Sequence, residues 1–303
     1  MKTTLLIDGN NIACRSHFKL PYLKTSGGLH TGAVHGFLST LLVVNRHVKP
    51  DKIIIAWDGG RSKWRTELYP DYKANRVTTP DSRQLFSEQA GIIRTLCQHL
   101  NVTTLFRVGV EADDLLAGYA MEEQKSEECV IYSSDQDYLQ LVNREGKIRV
   151  LSPTGDRFIN PQDLLGCEGW EHILAKCLAG DSSDNITGLK GIGKKTALDM
   201  VRKIGAKSFV DLGTQAAMAH YSNGGKRWRN ITGLEIAETV LRNYRMMDFE
   251  YAVKMLPKRI KPVVGKLNLV ELKYHFNTLE MKRHIENTHE FKNLCVPEAD
   301  QAF

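Results

Sequence analysis

No apolar run in the 303 residues approaches the roughly 18 needed to cross a bilayer. The N-terminal stretch MKTTLLIDGNN meets Asp8 after only a short apolar run, too soon for the apolar region of a secretory signal. The six cysteines (Cys14, Cys97, Cys129, Cys167, Cys177 and Cys295) are scattered and form no CxxC pair, so they read as reduced packing thiols of a cytoplasmic protein. The ten histidines show no ligand spacing along the chain, and neither an internal repeat nor a low-complexity tract is present. A membrane anchor, a disulfide scaffold and a histidine-based centre are therefore poor readings of this sequence.

Hydrophobic residues make up 42% and charged residues 25%, enough for a buried core in one large domain or two modest ones. The net charge of +6 is unevenly spread. Between Thr187 and Arg245 eleven Lys or Arg face four Asp or Glu, so the remainder of the chain is close to neutral. A polyanion-binding surface and a solvated helical face explain that clustering equally well on charge alone.

The stretch TTLLIDGNN reads as a buried strand ending in a carboxylate and a turn, and KIIIAWDGG repeats the pattern with Asp58. AVHGFLSTLLVVNRHV and QLFSEQAGIIRTLCQHL have helical spacing, VTTLFRV is a further strand, and EADDLLAGYAMEEQ opens a helix with acids in its first turn. ECVIYSSDQDYLQL is another strand running into acids. Strands alternating with helices imply an α/β fold with a mainly parallel sheet covered on both faces. Beyond about residue 160 helices dominate, and the last stretch carries little pattern.

Three β runs end in Asp8, in Asp58, and in Asp135 with Asp137. The C-terminal edge of an open α/β sheet is where ligands bind. Glu111, Asp113 and Asp114 add a further acidic segment, and GDSSDNITGLKGIGKKTA, from Gly180 to Ala197, adds Asp181 and Asp184. An Asp at a strand end is most often a turn or cap residue, so each acid alone is weak evidence. Five separated segments offering acids at one edge are not. Gathered carboxylates raise one another's pKa unless countered, and divalent cations with oxygen-only ligands, Mg²⁺ above all, supply the counter-charge. Two such ions about 4 Å apart can generate the nucleophile and steady the leaving oxygen of a phosphodiester.

With these residues assembled, the chain resembles the structure-specific 5′-nucleases: flap endonucleases, phage 5′–3′ exonucleases and the nuclease domain of bacterial DNA polymerase I. The resemblance runs in order through LLIDGNN, AWDGGRSKWRTELYPDYKANR, GVEADD, SSDQDYLQL and GDSSDNITGLKGIGKKTA, roughly residues 4 to 205. It implies a PIN-like nuclease core over residues 1–160 with an arch or clamp segment near 68–90. It further implies a helical DNA-binding region over 161–290 containing a helix–three-turn–helix element, and a loose tail at 291–303. By motif, all nine acids (Asp8, Asp58, Glu111, Asp113, Asp114, Asp135, Asp137, Asp181 and Asp184) fall on positions of a two-Mg²⁺ site, with Mn²⁺ as a substitute. Asp114 and Asp181 are the members expected to act indirectly or to be dispensable.

The resemblance places Lys73 and Arg76 as catalytic cations at the arch base, on one face if that segment is helical. It offers Tyr72 for stacking on an unpaired base, and Arg61 and Arg65 as contacts to the same strand. Gly191 and Gly193 would let backbone approach DNA phosphate, Lys194 and Lys195 would add charge, and K⁺ would sit in that turn. The expected activity is hydrolysis of DNA at 5′ flaps, nicks and free 5′ ends in replication or repair. The expected setting is a monomer in a bacterial or phage-infected cytoplasm, beside a replicative polymerase or single-strand-binding protein. Two readings compete with it: a PIN-type ribonuclease, and a non-catalytic DNA-junction-binding protein.

Overall fold

The computed structural model describes residues 1–76, 79–142, 146–213 and 232–294. The chain opens with strand β1 (Thr3–Asp8), then helices α1 (Gly9–Lys19) and α2 (Gly32–Val48), strand β2 (Lys52–Trp57), and helices α3 (Lys63–Leu68) and α4 (Pro80–Cys97). Strand β3 (Thr103–Phe106), helix α5 (Ala112–Glu123), strand β4 (Glu128–Tyr132), a 3₁₀ turn at Gln136–Leu141 and strand β5 (Ile148–Leu151) follow. β1 pairs in parallel with β2 and β4, β2 with β3, and β4 with β5, giving the order β5-β4-β1-β2-β3.

These strands are buried from both sides, which is why they read as nearly unbroken apolar runs; all six residues of β2 are buried. The pleat sorts them between two cores. Leu5, Ile7, Ile53, Ile55 and Trp57 pack with α1, α2 and α4, while Leu6, Ile54, Ala56, Cys129 and Ile131 pack with α5. Among the described residues no helix is long and apolar enough to cross a membrane.

The next elements are helices α6 (Pro161–Leu165) and α7 (Gly169–Ala179), a two-stranded ribbon of β6 (Gly180–Asp181) and β7 (Ile186–Thr187), and helix α8 (Lys194–Ile204). With the helix Gly233–Met247, α7, the ribbon and α8 enclose a third core of Ile173, Leu178, Ala197, Val201, Ile236 and Val240, while Leu165 of α6 packs on the second. Residues 263–294 do not extend that core. Strand β8 (Val263–Val264) adds an antiparallel edge to β3, and Leu272, Phe276, Phe291 and Leu294 return to the first core. The helical region expected over 161–290 thus gives up its last part to the sheet, and Phe291 and Leu294 are firmly packed where a loose tail was expected. The rest of that tail lies outside the described residues.

His284 sits in this returning segment, 3% exposed, with its ring against Phe276, Phe291 and His35. Burial, aided by His35 and Arg283, holds its imidazole down to about 4. An unfolded imidazole titrates near ~6.5. The neutral ring therefore contributes fully above that pH, and the contribution is lost as pH falls toward the folded value, an effect of about 3 kcal/mol. His284→Phe should flatten the fall of the urea midpoint with acid across this window. An unchanged slope would assign the acid sensitivity to other groups.

Candidate active site

Strands β1, β2 and β4 each deliver an acid to the same edge. Asp8 is the last residue of β1, Asp58 follows β2 directly, and Asp135 caps the 3₁₀ turn after β4. Glu111 precedes α5, whose first turn carries Asp113 and Asp114. Because these strands run parallel and adjacent, the acids meet at their C-terminal ends. Asp181 and Asp184 enter from the β6–β7 ribbon. Local bonds fix the carboxylates: Asn11 N–H donates to Asp8 at 3.0 Å and Ala112 N–H to Asp58 at 2.8 Å. Asp137 N–H donates to Asp135 at 2.9 Å, and Ser133 Oγ donates to Asp8 at 3.2 Å.

Their proximity shows in their ionisation. Burial raises the Asp8 carboxyl to about 7, with Asp58 and Asp135 adding to the rise. Burial and then Asp137 raise Asp135 to about 6, with Asp184 contributing. Asp58 is open to solvent on one side, yet the protein crowded around its carboxyl, with Glu111, raises it too. Asp113 is pushed up by burial and by Asp114 and Glu111. Oxygens of Glu111, Asp113 and Asp114 lie within 4.8 Å of one another. Glu111 goes the other way: burial would raise it, but Lys73 and Arg65 prevail and hold it low.

Four cations offset this charge. Arg65, 2% exposed, grips both oxygens of fully buried Asp114 at 2.7 and 2.8 Å and donates to Glu111 at 2.9 Å and to the Met246 carbonyl at 2.8 Å. Lys176, on α7 and 5% exposed, bridges Asp137 at 2.5 Å and Asp181 at 2.6 Å. Burial would lower its pKa, but these two carboxylates raise it, and Lys176 in turn outweighs burial to hold Asp181 low. Lys73 Nζ lies 2.6 Å from Glu111 and 3.9 Å from Asp184, and Arg76 binds Asp184 at 2.6 Å. Above the acids a cleft of about 420 Å³ is lined by Arg61, Lys73, Arg76, Arg83 and Arg94 together with Asp58 and Glu111.

Three expectations are corrected here. Arg65 is enclosed in its ion pairs and cannot touch a DNA strand. Tyr72 is 2% exposed and donates its hydroxyl to Glu111 at 2.8 Å, so it presents no ring face to a base. Lys73 and Arg76 do not share a helix face: residues 71–75 form a turn in which Lys73 adopts a left-handed φ of 55°. Pro70 bars Tyr69 from the helical region and ends α3 at Leu68. The two cations converge all the same, because the Lys73 N–H donates to the Asp184 carbonyl at 2.8 Å. Asp114, with both oxygens on Arg65, serves as that residue's anchor.

Lys176, Arg83 and Arg94 were not singled out from sequence. The signal for Lys176 was a lone cation within the apolar run HILAKCLA just before Asp181. Arg83 and Arg94 are spaced three helical turns apart on α4. Arg61 is exposed and donates to the Lys73 carbonyl at 3.1 Å. Away from the cleft, Gly191 takes a φ of 80° and Gly193 caps α8, whose first residues, Lys194 and Lys195, are exposed. That helix start has neither an acid in its first turn nor a side-chain cap, so its amide dipole is uncompensated.

A parallel sheet with an acid-filled edge beneath a basic cleft defines a class, the divalent-metal nucleases of α/β fold. The chain belongs to the 5′–3′ exonuclease family: residues 3–166 match the family described as 5′-3′ exonuclease, N-terminal resolvase-like domain. It is 30% identical over 286 residues to a 5′-3′ exonuclease of Aquifex aeolicus, covering 93% of each chain. It is 37% identical over 221 residues to DNA polymerase I of Mycobacterium tuberculosis, covering 69% of this chain but only 24% of that protein. Among solved structures, T5 5′-exonuclease with divalent zinc ions superposes with a TM-score of 0.68 at 24% identity, covering 84% of this chain and 92% of that one. The catalytic core of Rad2 with a DNA substrate gives 0.54 at 14%, covering 98% and 92%. At these identities the structures speak for the fold.

Lys176→Met should leave Asp137 and Asp181 facing each other without a cation, at a cost of about 3 kcal/mol in metal-free buffer. Added Mg²⁺ should shrink the deficit. Thermal melts with EDTA and with Mg²⁺ check this, and equal melting of variant and parent in EDTA would remove Lys176 from the charge balance.

Proposed function

We propose that this 5′–3′ exonuclease hydrolyses DNA phosphodiesters near 5′ ends, flaps and nicks, as a flap endonuclease and exonuclease using two Mg²⁺ ions or Mn²⁺ in their place. The observation that carries this is the gathering of acids from five chain segments at one sheet edge under a cleft lined by Arg61, Lys73 and Arg76. The donors are all carboxylate oxygens, which suits a hard divalent cation, and the raised carboxyls of Asp8 and Asp135 mark where positive charge is wanted. Asp8, Asp58, Glu111 and Asp113 would hold one ion, and Asp135, Asp137, Asp181 and Asp184 the other. What the ions supply when bound is activation of the attacking water and neutralisation of the leaving oxygen.

The chain's own part is positioning and charge. Lys73, largely shielded from solvent, rests on Glu111, and the exposed Arg76 is held against Asp184, so a phosphate entering the cleft meets preplaced donors. Arg76 can engage it through a fork and Lys73 as a point charge. We assign residues 1–160 as the nuclease core, and α7, the β6–β7 ribbon, the Leu189–Gly193 turn and α8 as a helix–three-turn–helix grip on duplex backbone. Support for the grip comes from the uncompensated start of α8 with Lys194 and Lys195 on it. That turn, exposed at Lys190, Gly191 and Gly193, is where K⁺ would be held. DNA as substrate is supported by the similarity to DNA polymerase I and by the DNA substrate in the Rad2 complex.

The direct test maps cleavage of a 5′-labelled flap duplex and its RNA counterpart, with Mg²⁺ and with EDTA. Mg²⁺-dependent cuts at the DNA junction and 5′ end are expected; equal or preferred cutting of RNA, or binding without cutting, would overturn the reading.

Two variants separate chemistry from grip. Lys73→Ala should slow the single-turnover rate by about 10²-fold, comparable to losing one preorganised donor. Affinity should change little, because one phosphate contact among many is lost. A change in affinity alone would make Lys73 a docking residue. Lys194→Ala with Lys195→Ala should do the reverse, leaving the saturated rate intact while weakening binding across all duplex sequences. Each lost phosphate contact should shallow the log K against log salt slope by about 0.9. An unchanged slope would return these lysines to a solvated helix face.

A further inference from the structure

At the opposite edge of the sheet, three side chains from distant parts of the sequence meet. His99 lies in the turn between α4 and β3, on the side where β3 begins, while the acids lie where the strands end. Glu271 and His275 are four residues apart on the helix Leu269–Thr278 and so share a face. One donor atom from each of His99, Glu271 and His275 lies within 4.8 Å of the others, and the two imidazole centroids are 5.6 Å apart. No ion pair engages Glu271 among the described residues.

The two segments that carry these ligands are already fastened together. Lys266 N–H donates to the Gln98 carbonyl at 3.0 Å and Asn268 N–H to the His99 carbonyl at 3.1 Å. Leu267 N–H donates to Asn101 Oδ1 at 3.1 Å, and β8 is in register with β3. The Asn268 side chain caps the helix through the N–H groups of Val270 and Glu271. The backbone on both sides is thus set before any ion arrives. A tetrahedral ion with bonds near 2.0–2.1 Å holds its donors about 3.4 Å apart. Closing from the observed spacing asks for about 1.4 Å of approach by the side chains of the half-buried imidazoles and the exposed Glu271.

We propose that His99, Glu271 and His275 form a second metal site, for a borderline transition cation such as Zn²⁺, that staples the returning C-terminal segment to the turn before β3. Two imidazole nitrogens and one carboxylate are the wrong donors for Mg²⁺ and the right ones for Zn²⁺, Co²⁺ or Cu²⁺. The all-oxygen cleft is open to hard Mg²⁺, which the imidazole cluster is not, so the two sheet edges differ in the metals they can take. Water completes the coordination, and the site's role is stability.

The test titrates Zn²⁺ into the full chain with Mg²⁺ in large excess, which occupies the carboxylate cleft. One equivalent of Zn²⁺ should raise the melting midpoint of the parent and shift the imidazole NMR signals of His99 and His275, while the rate on a flap duplex stays the same. His99→Gln with His275→Gln should weaken this binding on the order of 100-fold or more, beyond the loss from disturbing an outer-shell partner. Glu271→Gln, at an exposed position that tolerates change, should weaken it without altering the metal-free melt. Equal Zn²⁺ binding by parent and variants, or Zn²⁺ binding that leaves both imidazole signals unmoved, would overturn the proposal.

Discussion

Like charge gathered at one sheet edge is the constraint to which the rest of the structure answers. Strand ends bring Asp8, Asp58, Asp135 and Asp137 together, and α5 adds Glu111, Asp113 and Asp114. Such a set repels itself unless cations arrive from elsewhere in the chain. They come from outside the sheet: Arg65 from α3, Lys73 and Arg76 from the turn beyond it, and Lys176 from α7. Buried ion pairs add little net stability over an apolar packing, but removing one partner is costly. Their value here lies in placement. Arg65 ties α5 to the Met246 carbonyl at the end of the helix Gly233–Met247, and Lys176 ties α7 to the turn after β4. The helical part is docked on the sheet by the same charges that neutralise its edge.

The neutralisation is uneven, and the unevenness has a functional shape. Glu111 and Asp181 are held low by their cations, so they stay ionised across the physiological range. Asp8 and Asp135, which no cation touches directly among the described contacts, are raised by burial, Asp8 further by Asp58 and Asp135, and Asp135 further by Asp137. Positive charge is therefore still wanted at the centre of the edge, between flanks already satisfied. Divalent ions drawn there would meet ligands whose orientation is fixed by backbone N–H donors and by Ser133. The exposed cations Arg61 and Arg76 remain on the rim, where an incoming phosphate would arrive.

The sequence disclosed the parts of this that depend on local pattern. Apolar strand runs ending in Asp, and acids opening α5, are signals carried within a few residues, and the sheet edge follows from strand–helix alternation. The roles of individual cations were not legible. Arg65 and Tyr72 stand in the same charged stretch as Lys73 and Arg76, and nothing in their spacing says that the first two are enclosed by Glu111 and Asp114. Burial is a tertiary fact. The turn at Lys73 was likewise not legible: a shared face for Lys73 and Arg76 needed a helix there, although Pro70 gave the local reason for α3 to stop. The return of residues 263–294 rests on a two-residue strand and a few apolar contacts, too brief for any periodicity to announce.

That return also brings together two histidines that no sequence spacing links. His99 and His275 become neighbours only because β8 lies against β3 and carries the following helix back over the turn. Sequence spacing detects ligands that share one element, as Glu271 and His275 do, but not a third ligand brought by topology. The parallel sheet thereby separates two tasks. Its C-terminal edge concentrates charge, which costs stability and, under the proposed function, would serve chemistry. Its opposite end is held by β8 against β3 and by buried Phe276 and Phe291, which restrain the chain. A fold that stores repulsion at one end of its strands is held together by what it packs at the other.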